Sequence, residues 1–254
     1  MTDLVNAVTD RDAATVKGLL AAGVDPDEPN EDGTTPLYRA AVNGSTELVR
    51  VLLAQGADPN LPSGAADEGL PLCAAACWNH AGVVEALLAA GADPDLPEPP
   101  HPEQTGPGTP PLLWAVRNGH RESVDLLLAA GADPNTPGNP LTVATRGGRY
   151  GIVRSLLERG ANPACADDTG RTASAIAIEL ADADLVALLA GESLWKDRAF
   201  TVDRRPAGDG SELITLRFGR DGSYGQASIQ NGHRAIAALL EEVLGRGTAS
   251  RDSL

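Results

Sequence analysis

The chain has 254 residues, 42% hydrophobic and only 3% aromatic, and its 20 Lys and Arg against 35 Asp and Glu give a formal net charge of −15. The acid is concentrated at the front: residues 1–113 hold 4 basic against 17 acidic side chains, residues 114–191 hold 7 against 9, and residues 192–254 hold 9 of each. A front half of that sign excludes nucleic acid and anionic lipid as partners, since both need a basic footprint, and no run of about 18 apolar residues marks a membrane-spanning helix.

From the N-terminus, MTDLVNAVTDRD lacks a basic stretch followed by an apolar one, so no secretory signal is expected. A phrase then recurs five times: GVDPD from Gly23, GADPN from Gly56, GADPD from Gly91, GADPN from Gly131 and GANPA from Gly160. Each copy follows a leucine-containing apolar run, and successive starts lie 33, 35, 40 and 29 residues apart. Self-similarity at that period marks a stacked-repeat architecture.

Residues 35–60, TPLYRAAVNGSTELVRVLLAQGADPN, show the unit most clearly. Thr35 caps a helix whose first position is Pro36, where a missing N–H costs nothing. Ala40 and Ala41 let neighbouring helices approach, and Gly44 permits the turn into a second helix. Leu48, Val49, Leu52 and Leu53 recur at helical spacing and give one apolar face. Gly56 ends that helix by taking positive φ, and Asp58 and Pro59 turn the chain outward. One unit cannot bury its apolar face alone, so units stack.

Six units follow in order, beginning near residues 2, 35, 70, 110, 139 and 172, the last ending near Gly191. The first, with Asp10, Arg11 and Asp12 on its outer side, is expected to cap the stack. Beyond residue 191 the pattern changes. Phe200 and Val202, then Ile214, Leu216 and Phe218, alternate with polar neighbours as strands do, and Tyr224 to Ile229 provides a third strand. From about His233 to Leu244 the period becomes helical, through Ile236, Leu239, Leu240 and Val243. Residues 246–254 read as a loose tail. The 192–245 segment is expected to dock on the sixth repeat, with Trp195 and Phe200 as docking residues.

The identities and order of Thr35, Pro36, Leu37, Ala40, Ala41, Gly44, Leu48, Val49, Leu52, Leu53, Gly56, Ala57, Asp58 and Asn60 make this unit resemble an ankyrin repeat. The resemblance covers about residues 2–191. It implies a mostly α fold: an ankyrin-repeat solenoid of six helix-turn-helix repeats, closed by a small C-terminal α+β cap of a three-stranded antiparallel sheet plus one helix. The expected organisation is therefore 1–191, 192–245 and a 246–254 tail.

The resemblance also implies a concave groove lined by the first helix of each repeat. Its variable positions here are Val42 and Asn43, Cys77 and Trp78, Arg117 and Asn118, Arg146 and Gly147, and Glu179 and Leu180. Trp78 is expected to be partly exposed and to anchor a partner. Arg117 and Arg146 hold the same position in adjacent repeats and are expected to clamp an anionic group, with Arg149 and Arg171 nearby. The alternative is pairing of these arginines with Asp167 and Asp168. Trp114 falls where a packing Leu is usual. The longest interval, between Gly91 and Gly131, adds the Pro-rich stretch LPEPPHPEQTGPGTP, with His101, Glu103 and Gln104 near its middle. It reads either as a tolerated insertion or as a wall beside the groove.

Chemistry leaves little trace. No phosphate loop, nucleophile elbow, HExxH or CxxC pair occurs, and no catalytic residue, metal or cofactor is expected. Cys73, Cys77 and His80 share one helix face, which is a weak metal signature; His80 and His120 share a turn position and read as structural. The Asp of each phrase is expected to satisfy backbone groups in its turn. Three cysteines, Cys73, Cys77 and Cys165, are too few for a disulfide framework and point to a reducing, cytoplasmic setting. The expected function is non-enzymatic recognition of a protein partner offering a basic surface, or an acidic group for the arginines. The alternative is binding of a small acidic molecule, or catalysis on it, in a pocket under the 96–110 finger.

Overall fold

The structure is a computed structural model and describes residues 3–64, 68–99, 108–181, 183, 200–209, 211–218 and 225–249. It divides into two compact units, Met1–Pro137 and Gly138–Leu254.

The first unit is four helix pairs: α1 (Leu4–Thr9) with α2 (Ala13–Ala21), α3 (Pro36–Val42) with α4 (Thr46–Ala54), α5 (Pro71–Cys77) with α6 (Ala81–Ala89), and α7 (Pro111–Asn118) with α8 (Arg121–Ala129). The first helices stack in series, α1 on α3 on α5 on α7, and so do the second helices. Thr35 caps α3, its hydroxyl accepting from the N–H of Tyr38 at 3.4 Å, and Pro36 is the first helical residue. Leu37, Leu52, Leu87, Leu112 and Leu127 are almost wholly buried between the helices. Burying each contributes about 1.5–3 kcal/mol.

Two devices set the register between repeats. In the first, His80 donates Nε2–H to the carbonyl of Val42 at 3.1 Å, and His120 donates to Cys77 at 2.9 Å. Each ties a turn to the end of the preceding first helix. Gly44 (φ +67°) makes this possible, because a Cβ there would lie 2.6 Å from the His80 ring.

The second device is the recurrent phrase. Its third residue caps its own turn: Asp58 accepts from the N–H of Asn60 at 2.8 Å, Asp93 from Asp95 at 2.9 Å and Asp133 from Asn135 at 2.9 Å. Its fifth residue reaches the next repeat: Asp27 accepts from the N–H of Asp58 at 3.0 Å, Asn60 from Asp93 at 2.8 Å and Asp95 from Asp133 at 2.9 Å. The phrase is thus a ladder rung, and its polar atoms are spent on backbone.

The second unit holds α9 (Pro140–Arg146), α10 (Tyr150–Glu158), α11 (Ala173–Ala181), strands β1 (Phe200–Pro206), β2 (Glu212–Phe218) and β3 (Gly225–Gln230), and α12 (His233–Ala249). The three strands form an antiparallel sheet in the order β1-β2-β3. Val202 pairs with Leu216 and Arg204 with Ile214, and Ile214 and Leu216 are buried. On the opposite face Asp203 meets Arg205 at 2.8 Å and Arg217 at 3.5 Å.

The C-terminal module docks in the register of a repeat. α12 packs on α11 and α10, as α6 packs on α5 and α4. Its entry, Asn231-Gly232-His233, repeats the residues of Asn118-Gly119-His120. His233 donates Nε2–H to the carbonyl of Arg146 at 3.1 Å. The N–H groups of Gln230 and Gly232 bond Gly147 and Gly148 at 3.1 Å each, and Asp209 caps α10 by accepting from Gly151 at 3.0 Å. Much of the anchoring therefore falls on the fifth repeat, in addition to α11. The stretch assigned to the second helix of the sixth repeat lies outside the described residues except residue 183, as does Trp195; of Phe200 only its place at the start of β1 is described.

One expectation is corrected. The helix does not stop near Leu244 with a loose tail from 246; it runs to Ala249. Once α12 is nucleated by packing at Ile236 and Leu240, each added residue gains a hydrogen bond for little further cost, so Gly245 and Gly247 do not end it.

Candidate functional site

The first helices of the first unit carry the distinctive side chains. Small residues fill the packing positions, Ala40 and Ala41 on α3 and Ala75 and Ala76 on α5, all fully buried. The residues after them sit at the helix ends. Trp78 directly follows α5 and is 62% exposed, the most exposed large apolar side chain among the described residues. The next residue, Asn79, takes positive φ (+60°) to enter the turn.

Around Trp78 the groups are linked. Asn118, at the same repeat position on α7, donates from Nδ2 to the carbonyl of Trp114 at 3.0 Å and reaches the Sγ of Cys77 at 3.7 Å. Trp114 is half-buried, and its indole N–H donates to the carboxylate of Glu98 at 2.8 Å. Glu98 is held in turn by its own N–H, which bonds the carbonyl of Thr109 at 3.2 Å and closes the base of the long finger. Trp114 occupies on α7 the position that Ala74 occupies on α5, one turn before Trp78.

The field around Glu98 is negative. Burial raises the Glu98 pKa, partly offset by the Trp114 bond. Burial and then Glu98 push the thiols of Cys73 and Cys77 up. Burial, then Glu68 and Glu98, push Tyr38 up to about 12. Arg39, the cation of this neighbourhood, is engaged by Glu68 at 3.1 Å. Asn43 sits at the second-repeat position equivalent to Trp78, with its carbonyl accepting from Arg11 at 2.8 Å.

The remaining predicted residues fall elsewhere. Arg117 is exposed on α7, in the first unit. Arg146, in the second unit, pairs with Asp167 at 2.6 Å. Asp167 in turn accepts from the hydroxyl of Thr169 at 2.6 Å and the N–H of Arg171 at 3.0 Å, and these bonds lower its pKa to about 2. Arg171 pairs with Glu179 at 3.0 Å. Arg149 is half-buried, and burial lowers its pKa. His101, Glu103 and Gln104 lie outside the described residues.

Cys73, Cys77 and His80 do not converge. The Cys73 thiol is buried and donates to the carbonyl of Thr109 at 3.6 Å, while His80 faces Val42. Among the described residues no group of three His, Cys, Asp or Glu is placed to hold a metal ion, and no helix is long and apolar enough to cross a membrane.

Sequence reasoning missed Glu98, Glu68 and Tyr38. Glu98 had a signal, since it lies in the stretched interval. Its contact with Trp114, 16 residues on, is a tertiary fact that no spacing encodes.

The family model described as ankyrin repeats (3 copies) matches residues 4–98 and 112–197. An ankyrin repeat protein of fowlpox virus (strain NVSL) is 36% identical over 69 residues, 27% of this chain and 9% of the relative. Cyclin-dependent kinase 4 inhibitor B of Bos taurus is 41% identical over 58 residues, 23% of this chain and 44% of the relative. The chain thus spans less than half of the length of these curated relatives, 9% of one and 44% of the other. The crystal structure of the human ASB11 ankyrin repeat domain superposes with a TM-score of 0.58 at 29% identity, covering 68% of this chain and 75% of that one.

Proposed function

This chain belongs to the ankyrin repeat family, and from that premise we propose that it recognises another protein through the first-helix face of its first unit, with Trp78 as the apolar anchor. Ankyrin repeat domains generally mediate protein–protein interactions. The bovine relative is named for inhibiting another protein, a kinase; action by contact is what we extend to this chain. The observation that carries the reading is the 62% exposure of Trp78, beside first helices whose other large apolar side chains are buried or half-buried. A rigid, exposed indole at the end of a helix offers a large apolar area at little entropic cost.

The arginines enter this reading unequally. Arg146 is already matched by Asp167 at 2.6 Å, so it supplies little uncompensated charge. Arg117 is exposed on α7, at the end of a first helix of the first unit. A small acidic ligand under the 96–110 finger is less well supported, because the finger brings the Glu98 carboxylate to Trp114. A carboxylate there repels an anion.

Affinity capture from the native cell, comparing the wild type with Trp78→Ala, tests the proposal. The variant is expected to lose the captured protein while its unfolding free energy changes by no more than about 0.5 kcal/mol, as for an exposed site. Retention of every captured protein by the variant would refute the assignment.

A further inference from the structure

The Glu98 carboxylate bonds the indole N–H of Trp114 at 2.8 Å, and among the described residues it meets no Lys or Arg. It is half-buried. It is also close enough to Tyr38, Cys73 and Cys77 to disfavour the charged form of all three. Those three sit on α3 and α5, so the carboxylate looks across both helices. Cys77 directly precedes Trp78. Arg39, the cation of this neighbourhood, is paired with Glu68 at 3.1 Å. Among the described residues this partly desolvated anion has one neutral side-chain donor, and the exposed indole of Trp78 follows Cys77 directly. Such surroundings favour a cation, through ion pairing and through attraction to the ring faces.

We infer that Glu98, set between Trp114 and the Cys77–Trp78 end of α5, receives a lysine or arginine side chain from an exposed basic segment of the partner protein. This rests on the proposed recognition face. The surplus of acid in residues 1–113, 17 against 4, gives the longer-range field that would draw such a segment in. Trp78 then packs along the aliphatic stem or stacks on the charged head.

An unbiased library of displayed nonapeptides, selected on the intact chain, is the test. Wild-type protein is expected to enrich peptides containing Lys or Arg. For the best peptide, Glu98→Gln should weaken binding about tenfold, with the unfolding midpoint preserved, whereas Glu122→Gln on the exposed side of α8 should leave it unchanged. Replacing the peptide's basic residue by norleucine should cost about as much, and the two losses should not add in a double-mutant cycle. Enriched peptides without a basic residue, or losses that simply add, would overturn the Glu98 assignment and leave the recognition face standing. Failure to enrich any peptide that needs Trp78 would overturn the face itself.

Discussion

His233 donates its Nε2–H to the carbonyl of Arg146 at 3.1 Å, the bond by which His80 holds Val42 and His120 holds Cys77. The C-terminal module therefore joins the stack by the repeat's own rule, although its strands have no counterpart in a repeat. Gly148 makes room for this as Gly44 does for His80: its φ is +65°, and a Cβ there would overlap the carbonyl of Gln230. Gly148→Ala should cost about 3 kcal/mol in urea unfolding. Gly160 also has positive φ (+91°) but faces open space, so Gly160→Ala should cost only about 1 kcal/mol. Equal losses would mean that the module is not held in this register.

The same histidine gives the docking a pH dependence. Burial lowers the His233 pKa from 6.5, partly offset by the carbonyls of Arg146 and Thr145. Protonation would put an N–H on Nδ1, which is buried without a hydrogen-bond partner. The unfolded chain takes the proton more readily, so stability is full above about pH 6.5 and falls as pH drops through the lower folded value. His233→Gln should remove that portion of the slope in denaturation curves taken from pH 7.5 to 5. An unchanged slope would show that His233 does not titrate with docking.

Glu98 has the opposite sign. Its folded pKa is raised above 4.5 by burial, so its contribution is favourable at low pH and is lost as pH rises through the folded value. Glu98→Gln keeps an acceptor for the Trp114 indole and removes the buried charge. The variant should be at least as stable as wild type at pH 7, with the advantage gone at pH 3. A variant less stable than wild type at pH 7 would show that the charge is already compensated.

Asp167 tests which bonds organise the turn after the fifth repeat. Its pKa is lowered to about 2, first by the Thr169 hydroxyl and the Arg171 N–H, with Arg146 the smallest contributor. The stability it contributes is present above its ordinary 3.8 and lost as pH falls through about 2. In carboxyl-detected NMR titrations, Thr169→Val should move Asp167 towards 3.8 more than Arg146→Ala does. The reverse order would make the ion pair the organising contact.

Most of the scaffold was legible because its signals are local. Thr35-Pro36, Gly44, the leucine spacing of α4 and the recurring phrase each act within a few residues, so a linear reading finds them. The alternation around Ile214 and Leu216 likewise announced β2. What the reading missed joins distant residues. The fifth residue of the first three phrases bonds a residue more than 30 positions on, as Asp27 does Asp58. Glu98 meets Trp114 across a finger whose length is irregular. His233 stands 87 residues from its carbonyl, and only the repeated Asn-Gly-His triplet hinted at its role. At the site, the exposure of Trp78 followed from its repeat position, while the negative field beside it depends on Glu98 and Glu68, contributed by the connections between repeats.

The central claim is that the Trp78 face contacts a protein. A photo-crosslinking benzophenone side chain carried in place of Trp78, and for comparison in place of the exposed Gln55 that follows α4, tests it most directly in native-cell extract. The account predicts a discrete protein adduct from position 78, suppressed by excess unlabelled wild-type chain and absent from position 55. No adduct from position 78, or the same adducts from both positions, would contradict it.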